Sequence, residues 1–148
     1  MSGITRNASA QWFGPIDVGH GELTSESGAL EKLRYTFASR TSAQPELTDP
    51  EELLAAAHAG CFAMALTSEL TQDRKPPVVL SVSADVTLAP TKEGRRITLG
   101  EIVVEAQFAQ EESDAWFSEV LERADRRCPF SALIRASGTV VVSGTIVR

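Results

Sequence analysis

Residues 49–66 read DPEELLAAAHAGCFAMAL, and this stretch decides the fold class. Asp49 suits an N-cap and Pro50 the first helical position. Glu51 and Glu52 suit the positive end of the helix dipole and a capping box. The helix they start is expected to run through LTSELTQ to about residue 72, and Pro76-Pro77 closes it off. From Leu53 to Leu66 it is apolar on every face, a pattern that calls for protein on every face. Half of these residues are alanine or glycine, so another backbone can approach closely. Fourteen apolar residues that include His58 and Gly60 are too few to span a bilayer, so a buried core helix is expected. One small domain has few elements with which to surround it. A second copy of the chain is therefore expected to cover the remainder, burying over about 2,000 Å².

The segments around this helix read mostly as strands. Downstream, residues 78–88 alternate Val78, Leu80, Val82, Ala84, Val86 and Leu88 with polar neighbours, and 96–108 form a second strand. PTKEG lies between them as the turn of a hairpin. Residues 111–127 form an amphipathic helix with Trp116, Phe117, Val120, Leu121 and Ala124 on one side. A short helix over 129–136 and a strand over 138–147 end the chain. Upstream, 7–13 and 18–25 read as strands separated by Gly14-Pro15, 30–38 as a third strand, and the polar run 39–49 as a loop. The order β-β-β-α-β-β-α-α-β segregates strands from helices, which gives the α+β class. Neither a repeat nor a long linker divides the 148 residues, so a single domain over 1–148 is expected.

Composition excludes several function classes. Fourteen basic residues stand against twenty acidic ones, a net charge of −6, so there is no basic footprint for nucleic acid or for an anionic membrane surface. The N-terminus is polar and lacks the basic-then-apolar order of a signal peptide, so a cytoplasmic protein is expected. Two cysteines are too few for a secreted disulfide scaffold. They have no metal-ligand spacing with the two histidines, so neither metal nor cofactor is expected.

Cys61 and Cys128 are the residues with chemistry to offer. Cys61, in mid-helix, reads either as a small buried hydrophobe or as a redox thiol that needs a cation brought to it by tertiary contact. Cys128 precedes Pro129 at a helix start, where unpaired N–H groups favour a thiolate. Arg40, in the loop before the helix, is a candidate cation, and Glu51 a carboxylate able to hold a guanidinium in a bidentate contact. His58, one turn before Cys61, reads as a packed core residue or, less readily, as the base of a Cys–His acyl-transfer pair.

These residues resemble a family. The stretch 49–66 resembles the active-site helix of the OsmC/Ohr family, named for osmotic induction and organic hydroperoxide resistance. GELTSESG (21–28) resembles the family's early hairpin, Phe37-Ala38-Ser39-Arg40 its arginine segment, Ala84-Asp85-Val86-Thr87-Leu88 its central strand and Cys128-Pro129-Phe130-Ser131 its second cysteine motif. An arginine just before the helix, with Ala-Ala-His within it, looks more like the OsmC branch. Asp49 replaces the usual Asn and Phe130 the common Val; neither change alters the chemistry. The resemblance implies an intertwined homodimer with antiparallel sheets around a long buried central helix. It also implies a thiol peroxidase acting on organic hydroperoxides and recycled by a dithiol such as dihydrolipoamide or a lipoylated protein. Cys61 would be the peroxidatic thiol, Cys128 the resolving thiol, Arg40 the activating cation and Glu51 its partner. Phe62, Met64 and Phe130 would favour a bulky apolar peroxide. A buried Cys61 and a Cys128 within reach of the external dithiol are expected. The alternative is a non-catalytic dimeric module that senses redox state or binds a small ligand.

Overall fold

The computed structural model describes residues 2–43 and 46–148. In chain order the elements are β1 (Ala8–Phe13), β2 (His20–Ser25), β3 (Leu33–Tyr35), α1 (Phe37–Thr41), α2 (Pro50–Gln72), β4 (Val79–Thr91), β5 (Gly94–Gln107), α3 (Asp114–Arg127), α4 (Pro129–Arg135) and β6 (Thr139–Ile146). The class is α+β, as the strand and helix order implied. Where the sequence suggested one domain, the chain forms two compact units, 1–50 and 51–148.

In the first unit, β1, β2 and β3 form an antiparallel sheet with β2 in the centre. Tyr35 lies across Gly21 of β2 and meets Trp12 edge-on at 5.7 Å; a Cβ on Gly21 would come within 2.3 Å of the Tyr35 ring. The strand expected over 30–38 is three residues long, and the loop expected over 39–49 begins inside a short helix. A capping box accounts for the difference. The Ser39 N–H donates to Thr36 Oγ1 at 3.0 Å and the Thr36 N–H to Ser39 Oγ at 3.1 Å. Residues 44–45 of the expected loop lie outside the described residues.

In the second unit, β4, β5 and β6 form one sheet. β4 and β5 are a long hairpin paired from Val79↔Gln107 to Thr91↔Gly94, so the expected five-residue turn contracts to Lys92-Glu93. A bulge at Thr98 interrupts the ladder, since Thr87 faces Leu99 and Leu88 faces Ile97. β6 runs parallel to β5, which corrects the expectation of purely antiparallel sheets. The connection from β5 to β6 carries two helices, long enough to cross over and return in the same direction.

One face of this sheet is the core. Ile102, Val104 and Ala106 of β5 are buried and alternate with exposed Glu101, Val103 and Glu105. Phe62, Leu66 and Leu70 of α2 and Phe117, Val120, Leu121 and Ala124 of α3 complete the cluster. Gly144 of β6 lets α3 approach closely, since a Cβ there would lie 2.7 Å from Leu121. α3 and α2 are also tied by charge. Glu69, 5% exposed, receives Arg123 Nε at 2.9 Å and Arg127 Nη1 at 2.7 Å. Arg123 also reaches Asp73 at 2.6 Å, and the Trp116 indole N–H donates to the same carboxylate at 2.8 Å. The Trp116 and Arg123 donors hold Asp73 below the usual carboxylate range.

The expectation that α2 is buried all round is not met within one chain. By length and hydropathy alone this helix is long enough to cross a bilayer. Its inward stripe, His58, Phe62, Leu66, Glu69 and Leu70, instead packs on protein. Ala56, Gly60, Met64 and Thr67 are exposed, because one sheet and one helical layer can cover only one side.

The C-terminal end of α2 supplies a test of local strain. The Lys75 N–H bonds the Leu70 carbonyl at 2.9 Å, closing the helix with Arg74 in the left-handed region at φ 60°. A side chain is disfavoured there by about 1 kcal/mol. Arg74→Gly is expected to stabilise the protein by up to that amount, read as a raised urea midpoint at unchanged slope; a lowered midpoint would contradict the strain.

Candidate active site

The sequence at 124–132 forces a corner. Pro129 disfavours helical backbone at the residue before it, and Cys128 has φ −77° and ψ 109°. Cys128 is thus both the C-cap of α3 and the N-cap of α4. Its N–H bonds the Ala124 carbonyl at 3.0 Å and its carbonyl accepts the Ala132 N–H at 3.2 Å. The corner is braced by the Asp125–Arg135 ion pair. It brings Cys128 Sγ to 3.5 Å from Cys61 Sγ, between residues 67 positions apart in the chain. Both thiols are free.

The burial of the two thiols is the reverse of the expectation. Cys128 is 1% exposed and belongs to the core, whereas Cys61 is only half-buried. Burial pushes the Cys61 thiol up; the backbone N–H of Phe130, hydrogen-bonded to its sulfur, works in the opposite direction, and the adjoining Cys128 adds to the rise. The described surroundings of Cys61 in its own unit therefore favour the thiol over the thiolate.

His58 is fully buried one turn before Cys61. Its Nε2 lies 2.9 Å from Ser131 Oγ, and its Nδ1 has no hydrogen-bond partner. Neither nitrogen engages Cys61, which removes the geometric basis of a Cys–His acyl-transfer pair. Burial pulls the imidazole below its ordinary value, against the nearby Asp125 carboxylate, which favours the neutral ring. Asp125, Arg135 and Gly100 were not singled out by sequence, and Ser131 only as the last residue of the second cysteine motif. Their importance comes from pairings across α2, α3, α4 and β5 that no local pattern encodes.

The other candidates stand on other turns and elements. Glu51 stands in the first turn of α2, ten residues and about 15 Å of helix from Cys61. Arg40 is in the last turn of α1, in the first unit. Phe62 and Met64 point to opposite sides of α2. Phe62 is 0% exposed within the core and so cannot line an open pocket, while Met64 is 77% exposed. Phe130 is partly buried against the core beside Cys61.

Two sulfurs in van der Waals contact are a disulfide in waiting. Closing a loop of this length is expected to stabilise the chain by up to about 4 kcal/mol through the unfolded state. Urea unfolding of the oxidised and the dithiothreitol-reduced protein measures it. A lower midpoint for the oxidised form would mean that bond formation distorts the α2–α4 contact.

The sequence and the fold are similar to those of known proteins. The chain is 35% identical over 138 residues to the peroxiredoxin OsmC of Escherichia coli K12, covering 93% of this chain and 94% of that protein. It is 29% identical over 125 residues to an organic hydroperoxide resistance protein of Xanthomonas axonopodis pv. citri, covering 83% and 84%. The fold is similar to the solved structure of the organic hydroperoxide resistance protein OhrB of Bacillus subtilis, with TM-score 0.70 and 23% identity, covering 94% of this chain and 98% of that one. An organic hydroperoxide resistance protein from Elizabethkingia anophelis gives TM-score 0.76 and 21% identity, covering 100% and 99%. Residues 43–143, which include both cysteines and the helix that opens at Pro50, match the family model of the OsmC-like proteins, and the chain belongs to that family.

Proposed function

We propose that this protein is a cysteine-based peroxidase that reduces organic hydroperoxides to alcohols. The 3.5 Å approach of Cys61 to Cys128 carries the reading, and the relatives named peroxiredoxin and organic hydroperoxide resistance protein support the substrate class. The Cys61 thiolate attacks one peroxide oxygen and the O–O bond breaks. The departing alkoxide takes a proton and leaves as alcohol, and Cys61 becomes a sulfenic acid. The Cys128 thiol displaces water from it and the disulfide forms. An external dithiol, such as dihydrolipoamide or a lipoylated protein, restores both thiols and is itself oxidised. A cytoplasmic setting, which keeps such dithiols reduced, suits this cycle.

Burial divides the labour. Half-buried Cys61 is open to peroxide, while Cys128 is sealed in the core with its sulfur 3.5 Å from that of Cys61. The dithiol then attacks the more exposed sulfur, Cys61, and Cys128 leaves. Because burial raises the Cys61 thiol, reaction at neutral pH needs a cation, and Arg40 held by Glu51 is assigned that role.

A second copy of the chain completes the reading. The outward face of α2, with Met64 77% exposed, and β1, exposed at all six positions including Trp12 and Phe13, are apolar surfaces suited to a homodimer. The 15 Å of helix between Glu51 and Cys61 favours a site in which Arg40 and Glu51 of one subunit serve Cys61 of the other.

Cys61→Ser is expected to abolish peroxide consumption with dihydrolipoamide. Cys128→Ser should react once and then, in excess peroxide, gain two and three oxygens on Cys61, read by intact mass. Oxygen appearing on Cys128 in the Cys61→Ser protein at a comparable rate would reverse the two roles. A redox-sensing module would oxidise once and never turn over. Arg40→Met should move the alkylation profile of Cys61 to higher pH, since it removes the ion that lowers a burial-raised thiol. Mixing Arg40→Met with Cys61→Ser chains should regain partial activity through heterodimers with one intact site; wholly inactive mixtures would place Arg40 beside the Cys61 of its own chain.

A further inference from the structure

We infer that His58 and Ser131 form a latch that holds Cys128 beside Cys61, making them positioning residues for disulfide closure. The inference rests on the peroxidase reading and extends it to residues outside the reacting thiols. The geometry is a two-rung ladder between α2 and α4. His58 is three residues before Cys61, and Ser131 three residues after Cys128. Residues three apart share a helix face, so the 2.9 Å contact of His58 Nε2 with Ser131 Oγ and the 3.5 Å contact of the sulfurs are successive rungs of one contact. The Phe130 N–H bonded to Cys61 lies between them.

Four observations distinguish a latch from an incidental core hydrogen bond. His58 and Ser131 are both 0% exposed, so neither can exchange its partner for bulk water. His58 Nδ1 has no partner, which leaves Ser131 as the imidazole's hydrogen-bond anchor. The ring is also seated by the sheet: a Cβ on Gly100 of β5 would stand 3.5 Å from His58 Cε1 and 3.2 Å from Ile134 of α4. α4 itself has only seven residues and no side-chain cap at Cys128, so its first turn depends on such outside ties.

The latch matters at one step. Once Cys61 is a sulfenic acid, two reactions compete. Either the Cys128 thiol attacks its sulfur and water leaves, forming the disulfide, or a second hydroperoxide adds an oxygen and gives sulfinic acid and alcohol. The effective concentration of Cys128 at Cys61 decides the outcome. Loosening the second rung lowers it without touching either sulfur.

The test compares wild type, Ser131→Ala and, as a packing control that meets Trp116 at the opposite end of α3 from Cys128, Phe108→Ala. The first readout needs no peroxide: the thiol pair is equilibrated against a glutathione redox buffer. Ser131→Ala is expected to lower the equilibrium constant for disulfide formation about tenfold, a shift of about 30 mV towards easier reduction. The second is intact mass after a fixed excess of cumene hydroperoxide, where the ratio of sulfinic acid to disulfide should rise about tenfold. Phe108→Ala, although less stable, should match wild type in both. Equal behaviour of Ser131→Ala and wild type, or an equal shift in Phe108→Ala, overturns the latch. If the wild type fails to form the disulfide with hydroperoxide while the glutathione equilibrium still shifts in Ser131→Ala, the peroxidase reading fails and the latch stands. Should Ser131→Ala not fold, His58→Phe, which fills the space without a hydrogen-bonding group, carries the same expectations.

Discussion

Phe62, Leu66 and Leu70 bury one stripe of α2 against Ile102, Val104 and Ala106 of β5 and the apolar face of α3. This contact fixes the rotation of α2, and with it the environment of each chemical residue on the helix. Each residue turns about 100° around the axis. His58, four residues before Phe62, falls on the buried stripe and is sealed. Cys61, one residue before Phe62, falls at the edge of the stripe and keeps part of its surface open. Met64 lands on the far side. The order of exposure along AHAGCFAM is therefore a consequence of hydrophobic burial a turn further on, and a nucleophile at the margin of a core follows from it.

The second thiol is placed by a different device. Pro129 stops α3 and starts α4 with a single residue between them, and that residue is Cys128. α3 in turn is held to α2 by Glu69, which grips Arg123 and Arg127. Arg127 adjoins Cys128, and Glu69 lies about two turns beyond Cys61 on the same helix. A carboxylate that is 5% exposed is costly unless paired. Here the pairing fixes the distance between the two helices that carry the thiols. Core packing, a proline corner and a buried ion cluster converge on one short sulfur–sulfur contact.

The two thiols also differ in what the surrounding protein does to them. Cys128 is enclosed and has the backbone of both adjoining helices around it. Cys61 receives one backbone N–H and otherwise a desolvating neighbourhood that favours the protonated form. A fold that brings two thiols together does not by itself make either a good nucleophile. A positive charge has to come from outside the immediate packing, and this gives Arg40 its place in the proposed chemistry.

The sequence by itself determined the class, the long helix from Pro50, the β4–β5 hairpin, the amphipathic α3 and the identity of the two thiols. Each is written in a local signal: a cap and proline, period-two alternation, a 3.6-residue stripe, a Cys-Pro step. It missed α1, because a Thr-x-x-Ser capping box directly after a strand is weaker than the alternation before it. Tertiary structure alone decided that β6 runs parallel to β5, since direction depends on how two helices fold back over the sheet. It alone decided that Cys128 is the buried thiol and Cys61 the open one, because exposure depends on what packs on a residue and not on its place in a helix. The pairing of His58 with Ser131, 73 positions away, belongs to the same class: a contact between separate elements leaves no periodicity in either one.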